Sequence, residues 1–250
     1  MTVAAAHRLR NHTVCFVGIG LPSAAANLAR MTHAPDVVLI YESGTIGTKP
    51  DVLPLSIGDG ELADTADTVV SVPEVFCYWL QGGRVDIGFL GAAQIDRYGN
   101  LNTTLIGGTY NAPRVRLPGA GGAPEIASSA KEVAIILKHS KRAFVSKLDF
   151  ITTSGYSGDA GMRGPSKGRG PTTVITDLGI LASDPDTNEL VVTSLHPGVT
   201  IEQVKDATGW ELRIAPVVKT TPAPTRCELV ALRDMHARTA AAHGGVTAGE

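Results

Sequence analysis

The sequence contains few of the residues that define disulfide-stabilised or metal-bound proteins. Its three cysteines, Cys15, Cys77 and Cys227, are far apart and form no C-x-x-C pair. This spacing argues against a disulfide framework or a zinc site, and it favours reduced thiols in a cytoplasmic protein. The histidines also lack the i, i+4 spacing of a metalloprotease helix. We therefore expect no bound metal.

An excess of one charge and long apolar runs are also absent. The net charge of −2 provides no basic surface for nucleic acid. No segment approaches the unbroken apolar length of a membrane-spanning helix, and neither a G-x-S-x-G nucleophile motif nor a Walker lysine is present. We therefore expect no nucleic-acid partner and no membrane partner.

The apolar segments that are present predict an α/β fold. We expect a helix near residues 3–9, and then a β-α-β unit with strands at 13–17 and 37–40 around a helix through 24–29. Further apolar runs lie at 87–90, 133–137, 174–175 and 190–192. Capping boxes at Thr200 and Thr225 predict two late helices, the second reaching about His243. These patterns predict an open, mostly parallel sheet with flanking helices.

The chain shows no internal repeat and no linker, so we expect a single domain over residues 1–243. Residues 154–171 are rich in glycine and are predicted to form a mobile surface loop within it. The tail at residues 244–250 is predicted to be frayed.

The most informative residue is Glu42, which comes just after the apolar run at 37–40. Parallel strands that are buried on both faces end where ligands bind, outside the carboxyl edge of the sheet. Glu42 is therefore predicted to be a carboxylate at the mouth of a crevice. Ser43 and Gly44 would let the backbone turn away and would line that crevice.

A glycine-rich segment at residues 117–125 leads into a helix near Pro124. Successive backbone N–H groups in such a loop can bind an anion or an oxyanion, helped by the positive end of the helix dipole. The alternative is a tight loop that only reverses the chain. The residues alone leave both interpretations open.

A third segment, residues 81–104, combines a glycine-containing strand with a turn rich in Gln, Asp and Asn. The same strand-end argument predicts that Gln94, Asn100 and Asn102 line the crevice. The alternative is a turn whose polar groups are satisfied by its own side chains.

Two further motifs have simpler interpretations. Gly18-x-Gly20 lacks the third glycine of a dinucleotide-binding loop, so a plain strand-to-helix turn is favoured. His196 lies between a predicted strand and a predicted helix, and a turn residue is favoured over a catalytic one.

The three segments, in this order, resemble the β subunits of family I CoA-transferases, and most of all the glutaconate-transferase-like branch. The match extends to residues 194–200 and so covers nearly the whole chain. It implies a CoA-transferase-like fold that is one half of an αβ pair. Two departures are mild: Ser43 stands where many relatives have asparagine, and Glu125 stands where aspartate is frequent.

The resemblance also implies roles for individual residues. Glu42 would attack the acyl-CoA thioester, giving an acyl-glutamyl anhydride and then a glutamyl-CoA thioester. The backbone of Gly119, Gly121, Gly122 and Ala123 would bind the oxyanion and CoA. CoA thioesters are substrates in this scheme, and no separate cofactor is expected.

The implied partners are a CoA-transferase α subunit, an acyl-CoA and a dicarboxylic or keto acid. An apolar face exposed on the isolated chain would follow from the missing subunit. The distal carboxylate of the acid needs a cation, and the candidates are Lys49, Arg84, Arg97, Arg114 and Arg116.

Two alternatives from other functional classes stay open. One is an acyl-CoA hydrolase or ring-cleaving hydrolase with the same fold, which passes the acyl group to water. The other is a non-catalytic sensor of acyl-CoA or sugar phosphate.

Overall fold

The computed structural model describes residues 1–155, 168 and 170–244. The strands, in chain order, are β1 (Val14–Val17), β2 (Val38–Ile40), β3 (Thr45–Ile46), β4 (Thr68–Val69), β5 (Ile87–Leu90), β6 (Gln94–Ile95), β7 (Leu101–Asn102), β8 (Leu105–Gly108), β9 (Pro113–Arg116), β10 (Glu132–Ile136), β11 (Pro171–Ile175), β12 (Gly179–Ser183), β13 (Leu190–Leu195) and β14 (Arg213–Thr220). The helices are α1 (Thr2–Ala6), α2 (Leu21–Met31), α3 (Gly60–Asp64), α4 (Val72–Glu74), α5 (Ala123–Ser129), α6 (Ile201–Asp206) and α7 (Arg226–Ala242). A π-helical segment, Val75–Leu80, follows α4 directly.

The chain forms two compact units. Unit 1 contains Met1–Gly91 together with Ala223–Glu250, and unit 2 contains Ala92–Pro222. Two compact units can belong to one folding domain, so the single domain over 1–243 stays a prediction. The predicted mobile loop at 154–171 lies almost entirely outside the described residues, and so does the tail beyond residue 244.

Unit 1 contains the predicted β-α-β unit, formed by β1, α2 and β2. Its strand order is β5-β1-β2-β3-β4. β1 pairs in parallel with both β2 and β5, whereas β2–β3 and β3–β4 are antiparallel. Phe16, Leu39 and Phe89, one from each parallel strand, are fully buried. The parallel strands therefore form the core of this unit.

The two glycines between β1 and α2 serve the chain turn. Gly20 precedes α2 with φ 83°, and Pro22 occupies the first turn of that helix. The N–H of Gly18 donates to the carbonyl of Phe89 at 2.9 Å. A Cβ at Gly18 would lie 2.9 Å from that same oxygen. These contacts support the strand-to-helix interpretation rather than a dinucleotide site.

Unit 2 has the strand order β14-β13-β12-β11-β10. β10–β11 and β13–β14 are parallel, whereas β11–β12 and β12–β13 are antiparallel. Two small hairpins, β6–β7 and β8–β9, accompany this sheet. The predicted α/β class with an open sheet is confirmed, and the antiparallel strands are additions that the apolar runs did not predict.

Both predicted capping boxes are present. Thr200 and Gln203 form one at the start of α6, and Thr225 and Glu228 form the other at the start of α7. α7 ends at Ala242 with His243 as its cap, as predicted. Over the described part of the chain, no helix has the length and apolarity needed to cross a membrane.

Candidate active site

Glu42 lies in the turn of the hairpin that joins β2 to β3. The N–H of Tyr41 donates to the carbonyl of Thr45 at 3.1 Å, and the N–H of Gly44 donates to the carbonyl of Tyr41 at 3.0 Å. Residues 41–44 thus form a closed β-turn with Glu42 at its second position. Glu42 is half-buried. Its backbone is fixed by the turn while its side chain keeps contact with solvent.

Gly44 attaches this turn to the neighbouring segment of unit 1. Its φ is +92°, and a Cβ there would lie only 2.0 Å from the carbonyl oxygen of Val70. The N–H of Val70 donates to the carbonyl of Gly44 at 2.9 Å. The hydroxyl of Ser43 lies 3.5 Å from that of Thr45. The structure therefore places Glu42, Ser43 and Gly44 in one rigid turn.

A buried polar cluster below the turn was missed by the sequence analysis. The hydroxyl of Tyr41 lies 2.7 Å from Ser23 Oγ and 3.5 Å from Asn27 Nδ2. All three residues are fully buried. Burial raises the pKa of the Tyr41 phenol, which therefore stays neutral. The i, i+4 spacing of Ser23 and Asn27 in a helix of small residues was the available signal, and it needed a partner from β2 to be recognised.

The glycine loop enters α5 as predicted, but two of its amides are already bonded. The N–H of Gly119 donates to the carbonyl of Thr103 at 2.8 Å, and that of Ala123 donates to the carbonyl of Ala120 at 3.1 Å. The prediction that Gly119 and Ala123 offer free amides is therefore wrong. Tight turns satisfy their own amides in this way.

Gly121 is the remaining exposed member of this loop. Gly121 is exposed with φ +48°, whereas Gly122 is buried and caps α5. Within the residues that the structure describes, no hydrogen bond is formed by the Gly121 N–H. Gly121 is thus the best-supported candidate anion donor of the loop.

The same loop forms one wall of a cavity of about 280 Å³ in unit 2. The cavity is lined by Ala92, Ala93, Thr103, Leu117, Pro118, Gly119, Ala120 and Ala123. An added Cβ at Gly119 would meet no atom within 4 Å. Most of these side chains are small or apolar, so the cavity suits an uncharged, flexible part of a ligand.

The predicted amide residues are engaged with other protein groups. Asn102 Nδ2 donates to Gln94 Oε1 and to the carbonyl of Leu105, both at 2.7 Å. Gln94 Nε2 in turn donates to Asp149 Oδ2 at 2.9 Å. These bonds support the alternative in which the turn satisfies its own polar groups, and neither Gln94 nor Asn102 is part of the cavity wall.

Asn100 belongs to a separate group of bonds. Its Nδ2 donates to Asp96 Oδ2 at 2.8 Å, and its Oδ1 accepts from the N–H of Gly155 at 2.8 Å. The structure thus joins Gln94 to Asn102, and it places Asn100 with Asp96 instead. Asp149 and Gly155, the distant partners, gave no signal in the sequence.

Four of the five cationic candidates have a partner within their own unit. Lys49 Nζ lies 2.6 Å from Asp67 Oδ1, and Arg97 Nη1 lies 3.9 Å from Glu189 Oε1. Arg84 donates to the carbonyl of Tyr78. Arg116 donates to the carbonyl of Tyr110 and stacks over its ring.

Arg114 differs from the other four. It is exposed on β9, four residues before the cavity residue Pro118, and it packs beside Gly107. The geometry makes Arg114 the most available of the five for a ligand carboxylate.

His196 is held within unit 2 by two bonds. Its Nδ1 lies 2.7 Å from Thr221 Oγ1, and its Nε2 lies 2.8 Å from the carbonyl of Thr176. Burial lowers the pKa of this imidazole. These contacts support the favoured interpretation of His196 as a turn residue.

Comparison with known proteins places the chain among the CoA-transferases. Residues 1–207 match the family described as coenzyme A transferase. The chain is 68% identical, over 98% of its length and 94% of the relative, to the B-type subunit of 3-oxoadipate CoA-transferase from Pseudomonas knackmussii. It is also 28% identical to a cholesterol ring-cleaving hydrolase subunit of Mycobacterium tuberculosis, over 85% of this chain and 82% of the relative.

A solved structure supports the same assignment. The crystal structure of glutaconate coenzyme A-transferase from Acidaminococcus fermentans matches with a TM-score of 0.82 and 32% identity, covering 93% of this chain and 91% of that one. The predicted CoA-transferase-like fold is confirmed by this match. The chain belongs to the coenzyme A transferase family.

Proposed function

We propose that this chain is the glutamate-bearing subunit of a CoA-transferase that moves CoA from succinyl-CoA to 3-oxoadipate, in the catabolism of aromatic compounds through 3-oxoadipate. The observation that carries the proposal is 68% identity, over nearly the whole chain, to the B-type subunit of a 3-oxoadipate CoA-transferase. The reaction suits the cytoplasm, where CoA thioesters are available to an enzyme with reduced cysteines. It needs no metal and no resident cofactor.

Glu42 is the proposed nucleophile. Its carboxylate attacks the thioester carbonyl of succinyl-CoA, the CoA thiolate leaves, and a mixed anhydride forms. The thiolate then attacks the glutamyl carbonyl, succinate leaves, and Glu42 carries CoA as a thioester. Such covalent catalysis divides one difficult transfer into easier steps.

The second half of the reaction reverses these steps. A carboxylate of 3-oxoadipate attacks the glutamyl thioester and displaces the CoA thiolate, which gives a second anhydride. The thiolate attacks the acyl carbonyl of 3-oxoadipate, and the Glu42 carboxylate is regenerated. Each intermediate is sensitive to water, so the site must exclude it. The closed turn around Glu42 supports this role because it fixes the carboxylate in one place.

The glycine loop is the proposed binding element for the oxyanion and for CoA. The exposed amide of Gly121 is the proposed donor, with Gly122 beside it, and Gly119 and Ala123 contribute to the cavity wall. Loss of one oxyanion donor typically costs about 3 kcal/mol of transition-state stabilisation. Contacts to the remote part of CoA can offset the strain of anhydride formation. Arg114 is the proposed partner for the distal carboxylate of the acid.

The active enzyme is proposed to need a second, α-type subunit. The relatives at 68% and 35% identity are both named as B-type subunits. Val69, Val72 and Tyr78 are 55%, 51% and 64% exposed, and they lie between β4 and the end of the π-helical segment of unit 1. Exposed apolar side chains of this kind support a protein contact. Stoichiometric co-elution of the two chains, with transfer activity only in the mixture, is the expected result.

The mechanism is tested by incubating the reconstituted enzyme with succinyl-CoA alone. Mass spectrometry should find CoA attached to the peptide that contains Glu42, and Glu42→Ala should lose both the adduct and the transfer reaction. Glu42→Asp should also fail, because withdrawal of the carboxylate by one methylene spoils the attack geometry. Glu211→Gln is the matched control, since Glu211 is exposed in unit 2. Normal transfer by Glu42→Ala would refute the role of Glu42.

The hydrolase alternative has a relative of its own, at 28% identity. Measuring CoA release without an acceptor acid separates the two reactions. A transferase should release no more CoA than one equivalent per site, whereas a hydrolase should release it continuously. A panel of acceptor acids with succinyl-CoA as donor then tests 3-oxoadipate itself.

A further inference from the structure

Three side chains that are distant in the sequence meet on the surface of unit 1. His7 caps the end of α1, His33 follows α2, and Glu228 lies in the first turn of α7. One potential ligand atom from each lies within 4.8 Å of the other two. The two imidazole rings are 5.4 Å apart and meet at 70°. The fold therefore converges three metal-ligating groups from three helical elements.

Glu228 is held in place for this position. Its Oε2 accepts from the N–H and the hydroxyl of Thr225, at 2.7 and 2.8 Å, as part of the capping box of α7. Its Oε1 lies 2.5 Å from His7 Nε2. One carboxylate oxygen is thus anchored while the other faces the histidines. Anchoring of this kind by an outer hydrogen bond is a usual property of metal-ligating carboxylates.

The two histidines are exposed and can adjust. His33 Nε2 lies 3.2 Å from the carbonyl oxygens of Ala6 and Leu9, and its Nδ1 lies 3.1 Å from Thr32 Oγ1. Coordination would replace one of these contacts, and the other would orient the ring. Since Zn²⁺ binds nitrogen and oxygen at about 2.0–2.2 Å, the ligand atoms need to draw together by about 1 Å.

We propose that His7, His33 and Glu228 bind one divalent transition-metal ion of the Zn²⁺ class, with water as the fourth ligand. Two imidazoles and one carboxylate are a known donor set for this ion. His7 Nε2 would give up the proton that it now places against Glu228, either to Nδ1 or to solvent. The ion would tie α1 and α2 to α7. The proposal concerns the stability of unit 1 and is independent of the transfer reaction.

The test is a titration of the metal-stripped full chain with ZnCl₂, followed by calorimetry and thermal unfolding. We expect one Zn²⁺ per chain and a higher Tm in its presence. His33→Ala and Glu228→Gln should each weaken binding by more than about tenfold. Glutamine can still complete the capping box, so Glu228→Gln should keep its fold, as circular dichroism can show.

Two control variants separate this site from other zinc ligands. His236→Ala removes an exposed histidine on the same helix, and Cys227→Ser removes the exposed thiol next to Glu228. Both should bind Zn²⁺ as the unmodified chain does. The proposal is overturned if no stoichiometric binding occurs, or if either control variant loses as much affinity as His33→Ala.

Discussion

The hydroxyl of Tyr41 connects the Glu42 turn to α2 through Ser23 and Asn27. Tyr41→Phe removes that hydroxyl and leaves the buried Ser23 hydroxyl without its closest partner. We expect the free energy of unfolding to fall by about 1–3 kcal/mol. In the reconstituted enzyme, kcat should fall more than KM rises, because the nucleophile loses its support rather than a substrate contact.

Urea unfolding and steady-state kinetics measure these two effects. Tyr78→Phe is the control, because Tyr78 is 64% exposed. Equal effects of the two variants would mean that the buried cluster has no special role.

Gly44 offers a second test at the scale of one residue. Gly44→Ala places a Cβ 2.0 Å from the Val70 carbonyl at a φ of +92°. Gly83→Ala is matched in backbone conformation, with φ +74°, but its Cβ would meet no atom within 4 Å. We expect Gly83→Ala to cost about 1–2 kcal/mol, the cost of a left-handed conformation alone. Gly44→Ala should cost clearly more and should abolish transfer, and similar costs in urea unfolding would contradict the steric argument.

Single residues also show why the site was only partly predictable. Glu42 was found because the run at 37–40 and the glycine that follows it are local signals. The amides of Gln94, Asn100 and Asn102 were assigned to a crevice, but Asp149 and Gly155 bind them instead. Those partners lie 55 residues away. A sequence pattern cannot indicate a pairing that only the tertiary fold creates.

His139 joins three elements of unit 2. Its ring stacks on Phe144 at 3.7 Å, its Nε2 lies 2.9 Å from Thr208 Oγ1 after α6, and its Nδ1 lies 3.3 Å from Thr176 Oγ1 after β11. Burial lowers the pKa of this imidazole to about 4, with Asp177 acting in the opposite direction. His139 is therefore neutral in the folded protein at neutral pH.

This buried imidazole predicts a loss of stability in acid. Between the unfolded pKa of about 6.5 and the folded value, the unfolded chain binds the extra proton, so stability decreases as pH falls. The full effect is about 3 kcal/mol and is reached near pH 4. Urea unfolding from pH 7 to pH 4 measures it. His139→Gln should flatten the profile and the exposed His236→Gln should leave it unchanged, so an unchanged profile in His139→Gln would contradict the assignment.

The elements themselves were predictable to different degrees. β5 and the cap positions of α6 and α7 follow from local patterns. β14 does not, because Pro216 lies inside it. Proline is tolerated there because β14 is the edge strand of unit 2, and its register against β13 shifts between Val192 and Ser194. Edge position and register are properties of the sheet, so the sequence of one strand does not contain them.

At the scale of the whole molecule, α7 completes unit 1 from the far end of the chain. Met235 packs with Ala24 and Leu53 in a buried cluster, and all three are at most 5% exposed. The N–H of Leu53 also donates to Thr239 Oγ1 at 2.9 Å. Met235→Ala should lower the free energy of unfolding by about 2–5 kcal/mol because it leaves a cavity in that core.

Val230→Ala is the matched control on the same helix, since Val230 is 57% exposed. It should change the free energy of unfolding by less than about 0.5 kcal/mol. Guanidinium unfolding of both variants makes the comparison. A small loss in Met235→Ala would mean that α7 contributes little to the core of unit 1.

The position of α7 also bears on how the protein is made. The ribosome completes Met1–Gly91 first, then all of Ala92–Pro222, and only afterwards the helix that closes the first unit. At typical rates of synthesis, the apolar surface around Ala24 and Leu53 stays uncovered for on the order of ten seconds. Nascent chains stalled before α7 should therefore be sticky and sensitive to protease, and overproduction should depend on chaperones that shield this surface until the last helix emerges.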